Sequence, residues 1–331
     1  MRLFKEIALL LGAVSVLGAM SVLGSGTAHA DTYPSKPIRL IVPYAAGGAA
    51  DITARVVGQK LTERLGVPVV IDNRGGANGS IGTDAVARAA PDGYTLLLVA
   101  SGPIVVNPYL YQKIPYDPVK DLAPVTQVTS YQYALVVPAS SPIKSLPELV
   151  QAAKASPGKY SYGSTGIGGG GHLAGEMLAN MTGTQLTHVP YKGSALALSD
   201  LLGGQLSFTF DTVVTTVPQI NAGKLRGFAV SGPKRAASLP QLPTMAELGY
   251  KGFDITQFQG LFAPAKTDPA IIKRLHDEVV QLLKSPDVVQ RLVTEGGNDL
   301  VGNTPEEFGR QIKSDLALYG KLIKDANIKA E

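Results

Sequence analysis

Twice along the chain the same pattern recurs: a short apolar strand, a loop of glycine and small residues, then an amphipathic helix. Ile38–Val42 is a run of β-forming residues stopped by Pro43 and Gly47-Gly48, after which Ile52, Val56, Val57, Leu61 and Leu65 share one helical face up to Gly66. Residues 67–71 and 95–100 read as two more strands, separated by the loop Gly75-Gly76-Ala77-Asn78-Gly79 and an Ala-rich helix. The pattern restarts at the strand 133–137, where Ser145 and Glu148 spell a capping box. Strand 160–162 then runs into the glycine-rich loop 163–171 and a helix over 172–181. Strands 186–189, 206–210 and 225–230 alternate with helices 195–202 and 214–221. Alternation of this kind predicts an α/β fold with a mainly parallel sheet covered on both faces. After a proline-rich irregular stretch (Pro233, Pro240, Pro243) come a strand at 258–263 and helices 271–283 and 308–323, opened by Asp268-Pro269 and Thr304-Pro305.

At 331 residues one core would be large, so two lobes are expected. The late strand and helices have no third core to join. The economical solution is that the chain leaves a first lobe near Tyr131, builds a second, and returns near Ile255. That places lobe 1 at 31–131 plus 256–331 and lobe 2 at 132–255, with two crossover strands as a hinge and a ligand cleft between the lobes. The N-terminus carries a different signal. Arg2 and Lys5 precede an apolar run over 7–23, and Ala28-His29-Ala30 gives small residues at −3 and −1, the layout of a secretory signal peptide (residues 1–30) cleaved after Ala30. A retained membrane anchor is the competing reading of that run. Export implies a periplasmic protein. Its zero cysteines exclude disulfides, Cys-ligated metal and a Cys nucleophile, so its stability must come from its cores. A formal charge of +4 spread along the chain gives no argument for nucleic acid.

Three loops follow strands and open helices: Tyr44 to Asp51, Ser101-Gly102-Pro103, and Gly163 to His172. Ligands of open α/β sheets sit at such strand ends, where helix N-termini offer free N–H groups to an anion. Ordinary turn chemistry explains any one of these loops; three together point to a ligand. No Gly-Lys-Ser/Thr follows the glycine runs, which removes a P-loop, and Gly166 to Gly171 matches a dinucleotide fingerprint only because it is almost all glycine. No G-x-S-x-G elbow surrounds Ser80 or Ser164, and His172, His188 and His276 form no metal-binding pair, so neither a catalytic residue nor a metal or other cofactor is expected. Asp51 could be a base but is more simply a first-turn acid, and Asp211 either caps the next helix or meets a ligand's amine or hydroxyl.

Several motifs carry a family resemblance. They are Val42-Pro43-Tyr44-Ala45-Ala46-Gly47-Gly48 with Asp51, Asp72-Asn73-Arg74, Ala90-Pro91-Asp92-Gly93-Tyr94-Thr95, Tyr162-Gly163-Ser164 with His172 to Glu176, Val189-Pro190-Tyr191, Phe210-Asp211 and Thr304 to Phe308. In this order they resemble the Bug-type receptors, periplasmic binding proteins of tripartite tricarboxylate transporters. The resemblance implies a two-lobed, class II periplasmic-binding-protein fold closing on one small organic acid, with handover to membrane permease subunits. It also implies a monomer without catalysis. Position by position it points to Tyr44, Ala46, Gly47 and Gly48 in one lobe and Ser164, Thr165 and Gly168 in the other, with Asp211 facing the rest of the ligand; the loop reading adds Ser101. Gly169 and Gly170 stand where such receptors often carry Ser or Thr, and Leu196 replaces a frequent Pro. The rival reading is an exported hydrolase or lyase using Asp51 or His172.

Overall fold

β1 (Ile38–Val42) lies between β2 (Val69–Asn73) and β3 (Thr95–Ala100), all three parallel. This is the computed structural model of the chain, describing residues 33–191, 193–325 and 328–329; the signal-peptide reading falls outside them. β2 starts two residues later than the apolar pattern predicts. Pro68 has no N–H to give the ladder, so it contributes only its carbonyl, to Ile38 N–H (2.9 Å), and pairing begins at Val69. Helix α1 (Ala49–Leu65) buries Ala50, Ala54, Val57 and Leu61, and stops where Gly66 turns left-handed (φ 72°) and its N–H bonds to Thr62 O.

The strand that organises the molecule is β4 (Leu122–Pro138). Over Leu122 to Gln132 it pairs antiparallel with β9 (Thr256–Pro264), which also pairs with β3. From Tyr133 onward it pairs with β7 (Phe208–Thr212) and β8 (Leu225–Val230). Parallel strands β5 (Ser161–Ser164) and β6 (Thr187–Pro190) extend the second half beyond β7. The sheet is therefore mixed, with antiparallel pairing confined to β3–β9, β4 and the short β10 (Asp299–Leu300). The described residues from Lys36 onward pack as one unit.

Where the chain comes back from β8 to β9, Ser231 ties it to β4. Its N–H donates to Tyr133 O (2.8 Å), its hydroxyl accepts from Tyr133 N–H (2.9 Å) and donates to Ile255 O (2.7 Å), and its carbonyl accepts from Ile255 N–H (3.0 Å). One buried serine thus pins both passages between the halves of the sheet. A continuous apolar core runs from Leu97, Val99, Phe258 and Phe262 to Tyr162, Phe208 and Phe210. The last helix, α10 (Pro305–Asp325), closes it by inserting Phe308, fully buried, edge-on to Phe258 (centroids 5.1 Å) and tilted on Phe262 (5.2 Å). Its entry is a reciprocal capping box: Glu307 N–H donates to Thr304 Oγ1 (3.2 Å) and Thr304 N–H to the Glu307 carboxylate (2.9 Å). At Ser145 the hydroxyl takes Glu148 N–H (3.3 Å), but the glutamate reaches back to Lys144 N–H instead. Among the described residues no helix is long and apolar enough to cross a membrane.

Candidate functional site

The loop after β1 is organised by Asp51. Its carboxylate accepts from Gly47 N–H (2.9 Å), Arg55 Nε (2.8 Å) and Asn73 Nδ2 (3.0 Å), and Asn73 also donates to Tyr44 O (3.2 Å). Burial alone would raise the Asp51 pKa, but those donors outweigh it and hold the carboxyl below its ordinary value. Asp51 thus organises the loop as a hydrogen-bonded anion. One sequence assignment changes with it. The Gly47 amide is spent on Asp51 and leaves the list of ligand donors; Gly47 serves the loop through its left-handed φ of 85°. Tyr44 is half-buried near Tyr116 and Tyr131, and burial raises its pKa. Ala46 is exposed on the loop and Gly48 sits at the start of α1, which has no side-chain cap. Its first-turn amides remain for a ligand. Asp51→Ala is expected to cost about 2 kcal/mol in urea denaturation; an unchanged midpoint would contradict this hub.

The loop after β3 holds Ser101, 1% exposed, whose hydroxyl is buried without a hydrogen-bond partner. Beyond it a π-helical turn (Gly102–Val106) and a short helix, α3 (Asn107–Leu110), present Val106 and Leu110. Against them rests the glycine-rich loop of the other half of the sheet. A Cβ placed on Gly168 would lie 2.2 Å from Leu110 Cδ2, 3.3 Å from Val106 Cγ1 and 3.4 Å from Asn78 Nδ2. Gly168 also carries a φ of 78°, so it must be glycine twice over: for its backbone and for its contact. Gly170 approaches Tyr133 and Gly171 approaches the Phe210 carbonyl just as closely, at 2.2 and 2.3 Å from such a Cβ. The helix this loop opens, α5 (Gly170–Thr182), likewise begins without a side-chain cap.

Two residues the sequence reading passed over belong to this meeting point. Asn78, at φ 48°, donates to Asn107 Oδ1 (2.8 Å), and Asn107 Nδ2 donates back to Asn78 O (3.1 Å) and to Ser80 Oγ (2.9 Å). The signal was available in Gly75 to Gly79, a glycine-rich loop at the end of β2 and opening a helix, as the other three are.

In the glycine-rich loop, Ser164 is buried, and its hydroxyl is engaged by His188 Nε2 (2.7 Å), Gly166 N–H (3.1 Å) and Gly166 O (3.0 Å). Its hydrogen-bonding capacity serves the loop rather than a guest. Thr165 is exposed beside it, its hydroxyl against Gly169. Asp211, 3% exposed, closes β7; its Oδ1 alone accepts from Ser194 Oγ (2.7 Å), Thr212 N–H (2.7 Å) and Thr215 Oγ1 (3.0 Å). Burial raises its pKa despite these donors. Both readings of Asp211 are therefore compatible: one oxygen caps the turn into the helix Val213–Asn221, and the other is left outside that network. A separate cavity of about 140 Å³, lined by Gln127, Asp254, Gln257, Asp315 and Tyr319 among others, contains none of these loop residues. Among the described residues no cluster of three or more His, Asp or Glu could hold a metal ion.

A two-half α/β sheet whose glycine-rich strand ends face one another is the architecture of a solute-binding receptor. Solved structures agree. A periplasmic transporter is 43% identical, with a TM-score of 0.85 over 90% of this chain and 99% of that one. An R. palustris protein solved with adipate is 34% identical, with a TM-score of 0.86 over 90% and 99%. Protein BugT of Bordetella pertussis is 37% identical over 301 residues, 91% of this chain and 92% of BugT. The model of the tripartite tricarboxylate transporter family receptor matches residues 53–328, and the chain belongs to that family. Receptors of this family are periplasmic binding proteins.

Proposed function

We propose that the chain is an extracytoplasmic receptor that closes on a small organic carboxylate and passes it to the permease subunits of a tripartite tricarboxylate transporter. It acts as a monomer after its leader is cleaved at Ala30. The lobes are residues 31–131 with 256–331, and residues 132–255; they move about the two passages joined by Ser231. The observation that carries the reading is the seat of Gly168 on Leu110, Val106 and Asn78, which brings the glycine-rich loop that opens α5 against the loops after β2 and β3 of the other half of the sheet. Backbone N–H groups from both loops, with the unpartnered Ser101 hydroxyl, supply donors for a carboxylate without an arginine clamp. Charge-assisted hydrogen bonds are worth roughly 1.5–3 kcal/mol each. Three or four would supply the ~8 kcal/mol of a micromolar complex. Closure follows when the ligand binds the shut lobes better than the open ones. The free oxygen of Asp211 would favour a guest bearing a hydroxyl or amine away from its gripped carboxylate.

Catalysis by Asp51 or His172 finds no support in the geometry. Asp51 already accepts three hydrogen bonds that hold the loop, and His172 Nδ1 accepts from Gly168 N–H (3.0 Å) in a buried pocket. Because a relative was solved with adipate, aliphatic dicarboxylates are the first probes. Incubation with adipate, malate, citrate and benzoate should raise the melting temperature for at least one acid and return that acid chemically unchanged. Steady consumption of any of them would overturn the receptor reading in favour of the hydrolase or lyase.

A further inference from the structure

Two of the chain's histidines meet beneath the glycine-rich loop. The rings of His172, on α5, and His188, on β6, stack with centroids 4.0 Å apart and planes 22° from parallel. His172 holds one loop amide directly, and His188 holds another through the Ser164 hydroxyl. His172 Nδ1 accepts from Gly168 N–H at 3.0 Å, so Nδ1 carries no proton and the ring is the Nε2–H tautomer, turned toward Glu176 Oε1 at 3.8 Å. His188 Nε2 lies 2.7 Å from Ser164 Oγ, which in turn takes Gly166 N–H at 3.1 Å and lies 3.0 Å from Gly166 O. With His188 donating, the hydroxyl accepts two protons and gives one to the Gly166 carbonyl, using its full capacity. Beneath the pair, Tyr162 packs on His188 (5.0 Å) and anchors Glu176 through its hydroxyl (2.7 Å).

We propose that this stacked pair is the positioning element of the ligand loop: the two neutral imidazoles tie down the Gly166 and Gly168 amides, leaving the amides that follow, at the start of α5, aimed at the cleft. A positive charge on His172 would set two donors against each other at Gly168, and a charge on both rings would stack two cations 4.0 Å apart. The groups that face the pair are Glu176, Tyr162 and Ser164; of these Glu176 alone favours protonation, and it reaches His172 only at 3.8 Å. Burial lowers the pKa of both rings, and His188, also facing His172, is pushed down to about 3. His188 therefore stays neutral across the physiological range, and the Gly168 N–H aimed at His172 Nδ1 calls for a neutral ring there too. The inference rests on reading this loop as ligand-gripping, and its test separates the two.

Long-range ¹H–¹⁵N spectra of the wild-type protein should show His172 as the Nε2–H tautomer at pH 7.5, with no imidazolium at pH 5.5. An Nδ1–H tautomer, or titration near the ordinary histidine pKa, would overturn the proposal. In hydrogen exchange, His172→Phe keeps an aromatic ring but removes the acceptor, and should speed exchange at Gly168 at least 10-fold. His172→Asn restores an acceptor at the Nδ1 position and should bring exchange back to within about 3-fold of wild type. His188→Phe and His188→Gln should do the same at Gly166. A packing role alone would reverse this order, because phenylalanine preserves the stack better than asparagine or glutamine, and that order would refute the proposal. Adipate titrations should follow the exchange data, with affinity lost in the Phe variants and kept in the amide variants. Failure of the wild type to bind any carboxylate would sink the receptor reading, while the spectra and exchange rates would still decide the loop.

Discussion

Gly168→Leu is expected to abolish tight binding, lowering carboxylate affinity by at least about 100-fold in calorimetry, which corresponds to roughly 2.8 kcal/mol. The added side chain starts 2.2 Å from Leu110 Cδ2 and is hemmed in by Val106 and Asn78, so the glycine-rich loop can no longer seat against the opposite half. Part of any such loss could come from backbone strain, since φ is 78° and a left-handed L-residue costs about 1–2 kcal/mol. Gly204→Leu supplies the control. Gly204 has almost the same φ, 75°, but nothing lies within 4 Å of its Cβ position. It should lose comparable stability and keep its affinity. Equal losses of affinity in both variants would mean that strain, not the contact across the cleft, governs binding.

Phe308→Ala should give the largest loss of stability, about 3–5 kcal/mol in urea denaturation. The ring is fully buried, touches Phe258 and Phe262 at 5.1 and 5.2 Å, and fills the space over Gly260, whose Cβ position lies 2.4 Å from its Cζ. It is the anchor by which α10 covers β9. Leu318→Ala on the same helix, 56% exposed, should shift stability by less than about 0.5 kcal/mol. A mild Phe308 phenotype would mean that the last helix is dispensable to the core.

The parallel strands and their helices were legible because apolar periodicity and glycine punctuation coincide there: β1, β3 and the end of α1 fall where Ile38–Val42, Thr95–Ala100 and Gly66 place them, and α5 runs only two residues earlier and one later than the predicted 172–181. The first half of β4 was not. Pro124, Thr126, Gln127 and Thr129 do not read as a buried strand, yet Thr126 donates to Asn303 O (2.7 Å), Gln127 N–H to Asn303 Oδ1 (2.9 Å) and Thr129 to Gln259 Oε1 (3.1 Å). The partners lie more than a hundred residues away, so no local window contains the reason for burial. The candidate site divides in the same way. That the loops at 44–51, 101–103 and 163–172 are special follows from composition. Which atoms remain available does not: Gly47 N–H and the Ser164 hydroxyl are consumed by Asp51 and His188, and only the fold reveals those partners. The histidine stack was hidden for the same reason, because His172 and His188 sit sixteen positions apart on different elements.

The most direct test is a crystal structure of the mature protein holding the dicarboxylate that stabilises it most. The account predicts one carboxylate group held by main-chain amides of both facing loops, at ordinary hydrogen-bond distances of about 2.7–3.2 Å, with Gly168 seated on Leu110. A dicarboxylate found instead in the cavity beside Asp254 and Asp315, or held by one half alone with the loops apart, would contradict it.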